Sequence, residues 1–144
     1  MPKPDPALLD PARYAHSCSI ATRYADLDPN RHINNVALIG LAEDARLRFI
    51  MDCKQDGSSL YDWQIMTASL SVEFIAQCYY AEPIAFRAGF SHIGNSSFTM
   101  LQLALQDNRP VAIVTTVIVW VVNDRPQAIP DAFRMALQPY MLRP

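Results

Sequence analysis

Residues 22–49 read TRYADLDPNRHINNVALIGLAEDARLRF, a polar loop that runs directly into a long and mostly apolar stretch. The apolar part is rich in Ala, Leu and Ile, which favour helix, and Asn34 or Asn35 can cap its start through a side-chain oxygen. The pattern predicts a helix that lasts to about Met51 or Asp52 and is central to the fold. Five apolar residues share one face of this helix: Leu38, Leu41, Ala42, Ala45 and Phe49.

The other side of the predicted helix also carries apolar residues. Val36, Ile39, Leu47 and Ile50 form a second strip, which predicts burial on more than one side. Gly40 lies between the strips and, like the nearby alanines, would let a neighbouring backbone approach closely. Charged pairs at helical spacing predict two ion pairs, Glu43 with Arg46 and Asp44 with Arg48.

Segments on both sides of the helix show the two-residue period of β-strands. Weak alternation at 18–24 predicts a strand before the loop, and four more strands begin near residue 68, after Pro83, near Leu101 and at residue 111. We interpret 54–63 as a connecting loop and 126–139 as an extended segment followed by a short helix. The predicted class is α+β, in which an antiparallel meander wraps one long central helix. Because residues 111–122 are apolar on both faces, we expect a second subunit to cover this strand.

The composition limits the class of protein. With 144 residues the chain is one domain by length, divided into a flexible arm at 1–16, a domain at 17–138 and a tail at 139–144. A net charge of −2 argues against nucleic acid or a membrane as partner. Three cysteines without C-x-x-C spacing, and no secretory signal pattern, indicate the cytoplasm. No metal site and no cofactor are predicted.

The polar loop carries the candidate functional residues. Asp28 can act as a general base or nucleophile, and the free N–H groups at the helix start can hold an oxyanion. His32 and Asn30 can orient the reacting group, whereas the side chains of Asn34 and Asn35 are expected to cap the helix. These groups suit acyl transfer or hydrolysis. The alternative is that Asp28 only bonds loop N–H groups and shapes the turn.

The motif DLDPNRHINN, with Arg23-Tyr24 before it and Glu43-Asp44-Ala45-Arg46 after it, resembles the acyl thioesterases of the hotdog-fold superfamily. The motif is similar to both the 4-hydroxybenzoyl-CoA branch and the plant acyl-carrier-protein branch, and the similarity in elements covers about residues 17–130. The resemblance implies a five-stranded antiparallel sheet around one central helix. It also implies a homodimer or homotetramer whose site lies between subunits.

The same resemblance assigns roles to residues. Asp28 matches the family's nucleophile or base, the N–H near Asn35 would polarise the thioester carbonyl, and Asn30 and His32 match a functional asparagine and histidine. The substrate would be a thioester of CoA or acyl-carrier protein, with the CoA nucleotide near the hairpin at Asn95, Ser96 and Ser97. The chain departs from bacterial relatives at Arg31, where they often have glycine, and at three helix positions where they favour aromatics: Leu38, Leu41 and Ala42.

Two other functions fit the same fold. A hydratase or dehydratase would also use a histidine and a carboxylate, but its motif spaces them five residues apart, whereas Asp28 and His32 are four apart. A protein that binds acyl thioesters without cleaving them would use the same pocket as a sensor. The acyl group itself cannot be predicted from these residues.

Overall fold

The computed structural model describes residues 3–54 and 62–144. The predicted elements are confirmed in type and order, although the first strand lies earlier than expected and a 3₁₀ turn, Tyr24–Asp26, follows it. Most of the loop expected at 54–63 lies outside the described residues. The elements are β1 (His16–Ile20), α1 (Asn35–Cys53), β2 (Ile65–Phe74), β3 (Ile84–Ile93), β4 (Ser97–Gln106), β5 (Arg109–Val122), β6 (Arg125–Pro126) and α2 (Asp131–Leu137).

The strands form one antiparallel sheet in the order β1-β3-β4-β5-β2, with the two-residue β6 paired to the end of β5. The expected meander of four sequential strands is therefore wrong for β2. This strand pairs with β5 at the far edge, and residues 75–83 carry the chain back to β3. The longest apolar strand, β5, thereby gains a partner on each side. A curled sheet of five long strands around α1 confirms the predicted α+β hotdog architecture.

All five residues of the predicted inner face of α1 are buried. Toward the N-terminal end of α1 they pack in an aliphatic cluster, and toward the C-terminal end in an aromatic cluster. The aliphatic cluster includes Ile20, Ile33, Leu38, Leu41, Ala42, Ala45, Ile84, Phe86 and Val114. The aromatic cluster includes Phe49, Ile50, Trp63, Phe90, Phe98, Trp120 and Phe133.

The second side of α1 is more open than its sequence suggested. Within the second strip only Ile50 is buried, while Val36 is 75% exposed. Among the described residues, a Cβ on Gly40 would meet nothing within 4 Å, so no backbone of this part of the chain approaches there. The sheet curls over one side of the helix and leaves this side to solvent. Both predicted ion pairs form, with N–O distances of 3.5 Å for Arg46–Glu43 and 2.9 Å for Arg48–Asp44.

The outer face of the sheet is covered by the two ends of the chain. Leu101, Leu103, Leu105 and Ile113 pack there against Tyr14, with Leu8, Leu9 and Leu142 beside them. The Tyr14 hydroxyl donates to the Leu8 carbonyl, and burial raises the pKa of Tyr14 to about 12. The division into arm, domain and tail stays a prediction. Among the described residues, neither helix is both long enough and apolar enough to cross a membrane.

Candidate active site

The loop that precedes α1 is anchored by a buried acid, Asp26. Its carboxylate is 2% exposed and accepts hydrogen bonds from the backbone N–H and guanidinium of Arg23, each at 2.8 Å. The hydrogen bond from the Arg23 side chain is the main reason that the pKa of Asp26 lies below its ordinary value. The Asp26 carbonyl also accepts from the Asn34 N–H. Asp26 therefore fixes both ends of the loop.

Asp28 lies at the mouth of a small hairpin closed by a bridge between Leu27 and Ile33. Its N–H donates to the His32 carbonyl at 2.8 Å, and its Oδ1 accepts from the N–H groups of Asn30, at 2.9 Å, and His32, at 3.1 Å. No hydrogen bond to its Oδ2 forms within the part of the chain that the structure describes. The carboxylate is thus held in one orientation, with one oxygen used by the loop and the other available to a ligand.

The first turn of α1 presents a capped helix end next to this loop. Asn34 is the N-cap, and its side-chain oxygen accepts the Val36 N–H at 2.8 Å, as predicted. Its carbonyl accepts the Leu38 N–H. Within the described residues, the N–H groups of Asn35 and Ala37 keep no hydrogen bond, and both are in the first turn, where the helix dipole favours negative charge.

A segment that we call the strap, residues 78–82, lies against the loop. The Ile33 N–H donates to the Cys78 carbonyl at 2.8 Å. The Tyr79 ring meets the His32 ring edge to face, with 5.4 Å between centroids, and Tyr80 meets Tyr24 in the same manner at 6.1 Å. His32 is therefore half-buried between its loop and the strap.

One residue that holds the strap was not singled out by its sequence. Gln106, at the end of β4, is 1% exposed, and within residues 3–54 and 62–144 the hydrogen bonds of its side chain go to strap backbone. In the sequence it belongs to the alternation Leu101, Leu103, Leu105 against two glutamines and an alanine. Such a pattern indicates a strand without showing that its polar face is buried as well as its apolar face, so no local signal marked this glutamine.

A model of the thioesterase-like superfamily matches residues 22–137. The chain belongs to this superfamily. The prediction of a thioester hydrolase is confirmed at that level. A search of curated proteins finds no sequence match.

Solved structures of thioesterases share the fold of this superfamily member. A predicted thioesterase from Bacillus stearothermophilus is 26% identical, with a TM-score of 0.80 over 89% of this chain and 97% of that one. A thioesterase from Thermus thermophilus, solved with coenzyme A and zinc, is 24% identical, with a TM-score of 0.81 over 92% and 98%. A gentisyl-coenzyme A thioesterase is 18% identical, with a TM-score of 0.75 over 85% and 99%.

A groove of about 600 Å³ lies beside α1 in this thioesterase-like chain. Arg23, Asp26 and Asn34 contribute polar atoms to it, and Leu41 is among its apolar walls. Asp28, Asn30 and His32 do not line this groove. In a single protomer the Asp28 carboxylate therefore does not line this groove, although the loop that carries it adjoins the first helical turn.

The hairpin with Asn95, Ser96 and Ser97 lies at the other end of β3 from the strap. Nine residue steps of strand separate the two ends, which corresponds to about 30 Å. The hairpin is held by the C-terminal segment, because Arg134 donates to the Gly94 carbonyl at 2.6 Å and the Ile129 N–H donates to the Asn95 carbonyl. Within one chain, the predicted nucleotide contacts and Asp28 are not brought together.

Proposed function

We propose that the protein hydrolyses acyl-CoA thioesters with Asp28 as its catalytic carboxylate. The observation that carries this proposal is the hydrogen bonding of the Asp28 carboxylate. Two backbone N–H groups hold Oδ1, while Oδ2 has no partner among residues 3–54 and 62–144. A carboxylate with one fixed and one free oxygen is preorganised to accept a proton or to attack a carbonyl.

The chemistry can follow either of two routes. As a general base, Asp28 takes a proton from water, and the hydroxide attacks the thioester carbonyl carbon. As a nucleophile, Asp28 attacks that carbon itself, and water then cleaves the resulting anhydride. In both routes the C–S bond breaks and the thiolate leaves and takes up a proton. In this proposal the free N–H groups at the start of α1 stabilise the oxyanion, and His32 and Asn30 orient the carboxylate or the water.

CoA is the carrier that we propose in preference to acyl-carrier protein, because a solved thioesterase of the same fold holds coenzyme A. The acyl group stays open. We also place the protein in the cytoplasm, because all three cysteines are free.

We further propose that two copies associate through β2. Within the described parts of the chain this edge strand pairs with β5 alone, and three of its apolar side chains are exposed, Met66 at 54%, Leu70 at 43% and Phe74 at 40%. The sequence suggested β5 itself as the contact, but its outer face packs against the arm through Ile113. An unpaired apolar edge favours association with another strand. Light scattering of a Leu70→Lys variant tests this, and an unchanged mass would reject the β2 contact.

A thiol-release screen over acyl chain lengths and aryl thioesters of CoA tests the activity. Asp28→Asn keeps an oxygen for the two loop N–H groups but removes the basic carboxylate, so we expect turnover to fall about 100-fold or more without loss of folding. Asp107→Asn is the matched control, since Asp107 is an exposed turn residue at φ 51° and asparagine tolerates that conformation. Equal rates for wild type and Asp28→Asn would exclude Asp28 as the catalytic carboxylate.

The same assays separate the other two functions. With crotonyl-CoA, loss of the enoyl absorbance without thiol release would indicate a hydratase. Measurable binding of acyl-CoA that stays intact after long incubation would indicate a sensor. Either result would overturn hydrolysis by this site.

A further inference from the structure

Among the residues that the structure describes, the side chain of Gln106 makes three hydrogen bonds, and all of them go to the strap. Its Oε1 accepts the Tyr79 N–H at 2.8 Å, and its Nε2 donates to the carbonyls of Tyr79, at 2.8 Å, and Glu82, at 3.0 Å. The side chain is almost completely buried. One side-chain amide thus binds both backbone groups of Tyr79 and the carbonyl of Glu82, three residues later.

No other side chain of similar size offers this set of bonding groups. The strap presents one N–H donor and two carbonyl acceptors, and a primary amide supplies one acceptor and two donors. Glutamate would lack both donors, and methionine would fill the space without bonding. The loss would be costly at Tyr79, whose N–H and carbonyl would both lose this partner at a part-buried position, whereas the Glu82 carbonyl would keep the Thr22 hydroxyl.

The strap connects Gln106 to the proposed catalytic loop. Cys78, directly before Tyr79, accepts the Ile33 N–H, and Ile33 closes the hairpin that carries Asp28. Tyr79 itself packs its ring against the His32 ring. A displacement of Tyr79 would therefore reach the hairpin through two adjacent residues, His32 by the aromatic contact and Ile33 by the hydrogen bond to Cys78.

We propose that Gln106 is a positioning residue for thioester hydrolysis, which fixes the orientation of His32 and Asp28 through the strap without touching the substrate. The proposal rests on the proposed function of the Asp28 loop. Its effect should fall on kcat more than on KM, because the strap places the reacting groups and not the body of the ligand.

The chain offers a matched control on the same face of the same strand. Gln102 is fully buried, and its amide donates to the Ala42 carbonyl in the middle of α1 at 2.9 Å. Gln102→Met and Gln106→Met remove the same chemical group from the same core. A general loss of packing would affect both variants alike, whereas only Gln106→Met loses the contact with the strap.

The experiment compares the two variants in two measurements. In Gln106→Met we expect kcat to fall about tenfold to 100-fold with little change in KM, and in Gln102→Met to change by less than about threefold. The NMR signals of the His32 ring protons, which the Tyr79 ring current shifts, should move in Gln106→Met and stay in place in Gln102→Met. Equal losses of kcat in the two variants, or an unmoved His32 signal in Gln106→Met, would overturn the positioning role.

A second variant covers the case in which Gln106→Met fails to fold. The Thr22 hydroxyl donates to the same Glu82 carbonyl at 3.0 Å from the other side. Thr22→Val should lower kcat by about twofold to fivefold and shift the His32 signals in the same direction, since it loosens the same end of the strap. An unchanged His32 signal in Thr22→Val would count against the strap as the connecting element.

These measurements also distinguish a failure of the proposed function from a failure of the positioning role. If wild-type protein releases no thiol from any thioester, or if Asp28→Asn is fully active, the proposed function fails. The His32 signal still reports whether Gln106 positions the loop. If wild type is active and sensitive to Asp28 but Gln106→Met keeps its kcat, only the positioning role fails.

Discussion

The two ends of α1 are stabilised by different interactions. At the C-terminal end, Phe49 is fully buried and stacks on Phe90 with 5.0 Å between centroids, while the Tyr140 ring meets it edge to face at 5.5 Å. At the N-terminal end the aliphatic cluster packs beneath a loop that is ordered mainly by hydrogen bonds. Aromatic packing contributes mainly through the large areas that it buries, whereas hydrogen bonds fix the direction of donors and acceptors. The comparison suggests that one end supplies stability and the other supplies placement.

Removing the central ring of the aromatic end should have the largest effect. Phe49→Ala deletes a fully buried ring and leaves a cavity between Phe90 and Tyr140, so we expect a loss of about 3–5 kcal/mol in the free energy of unfolding. Urea denaturation measures the loss. The kcat of the folded fraction should stay close to that of wild type. A variant that is stable but inactive would show that the two ends are not separable in this way.

The buried acid of the loop gives the next effect, and it depends on pH. Asp26→Asn should cost about 1–2 kcal/mol near pH 7, a modest value because the partner Arg23 is mostly exposed. The folded state holds the pKa of Asp26 below its ordinary 3.8, chiefly through the Arg23 hydrogen bond. The contribution of this carboxylate is therefore complete above that value and is lost as pH falls through the lower pKa of the folded state.

Denaturant unfolding between pH 2 and pH 7 checks this prediction. The wild type should lose stability more steeply below about pH 4 than Asp26→Asn does. Asp44→Asn is the control, because Asp44 is exposed and pairs with Arg48 on the helix surface, where such pairs contribute little. Parallel pH curves for wild type and Asp26→Asn would show that the loop does not depend on the charge.

Much of the fold could be predicted from local pattern, and the exceptions have physical reasons. The helix, its inner face and the Asn34 cap follow from the residues themselves. The position of β2 could not be predicted in this way, because alternation predicts a strand but not the strand with which it pairs. β2 could pair with β3, as expected, or with β5, as observed. Val36 and Gly40 were expected to be covered, yet the curl of the sheet, which no local pattern encodes, leaves them open.

The site shows the same limit at the level of single residues. The loop motif identified Asp28 and His32, and the structure joins them by hydrogen bonds within one hairpin. The contacts of that hairpin with Tyr79, and of Tyr79 with Gln106, connect residues 27 to 47 positions apart. Such contacts exist only once the sheet has formed. A sequence motif can therefore name the reacting groups while the residues that place them go unnoticed.

The cap at the N-terminal end of α1 provides a test with a smaller expected effect. Asn34→Ala removes the side-chain acceptor of the Val36 N–H and should lower the free energy of unfolding by about 1 kcal/mol. Asn35→Ala is the neighbouring control, because the Asn35 side chain is exposed and makes no hydrogen bond among the described residues. We expect this change to stay within about 0.5 kcal/mol of wild type. Thermal unfolding of both variants distinguishes a side-chain cap at 34 from one at 35.

The smallest effect concerns the open side of α1 and should be stabilising. Gly40 lies inside the helix with nothing within 4 Å of a built Cβ, so Gly40→Ala adds a methyl group without a clash and reduces the freedom of the unfolded chain. We expect a gain of about 0.5–1 kcal/mol. Gly89→Ala is the opposite case, since its Cβ would lie 2.9 Å from Leu142 Cδ2 and 3.3 Å from the Tyr140 carbonyl oxygen. That variant should lose stability in the same denaturation assay. A loss in Gly40→Ala as well would mean that another surface, such as a second copy of the chain, covers this side of the helix in solution.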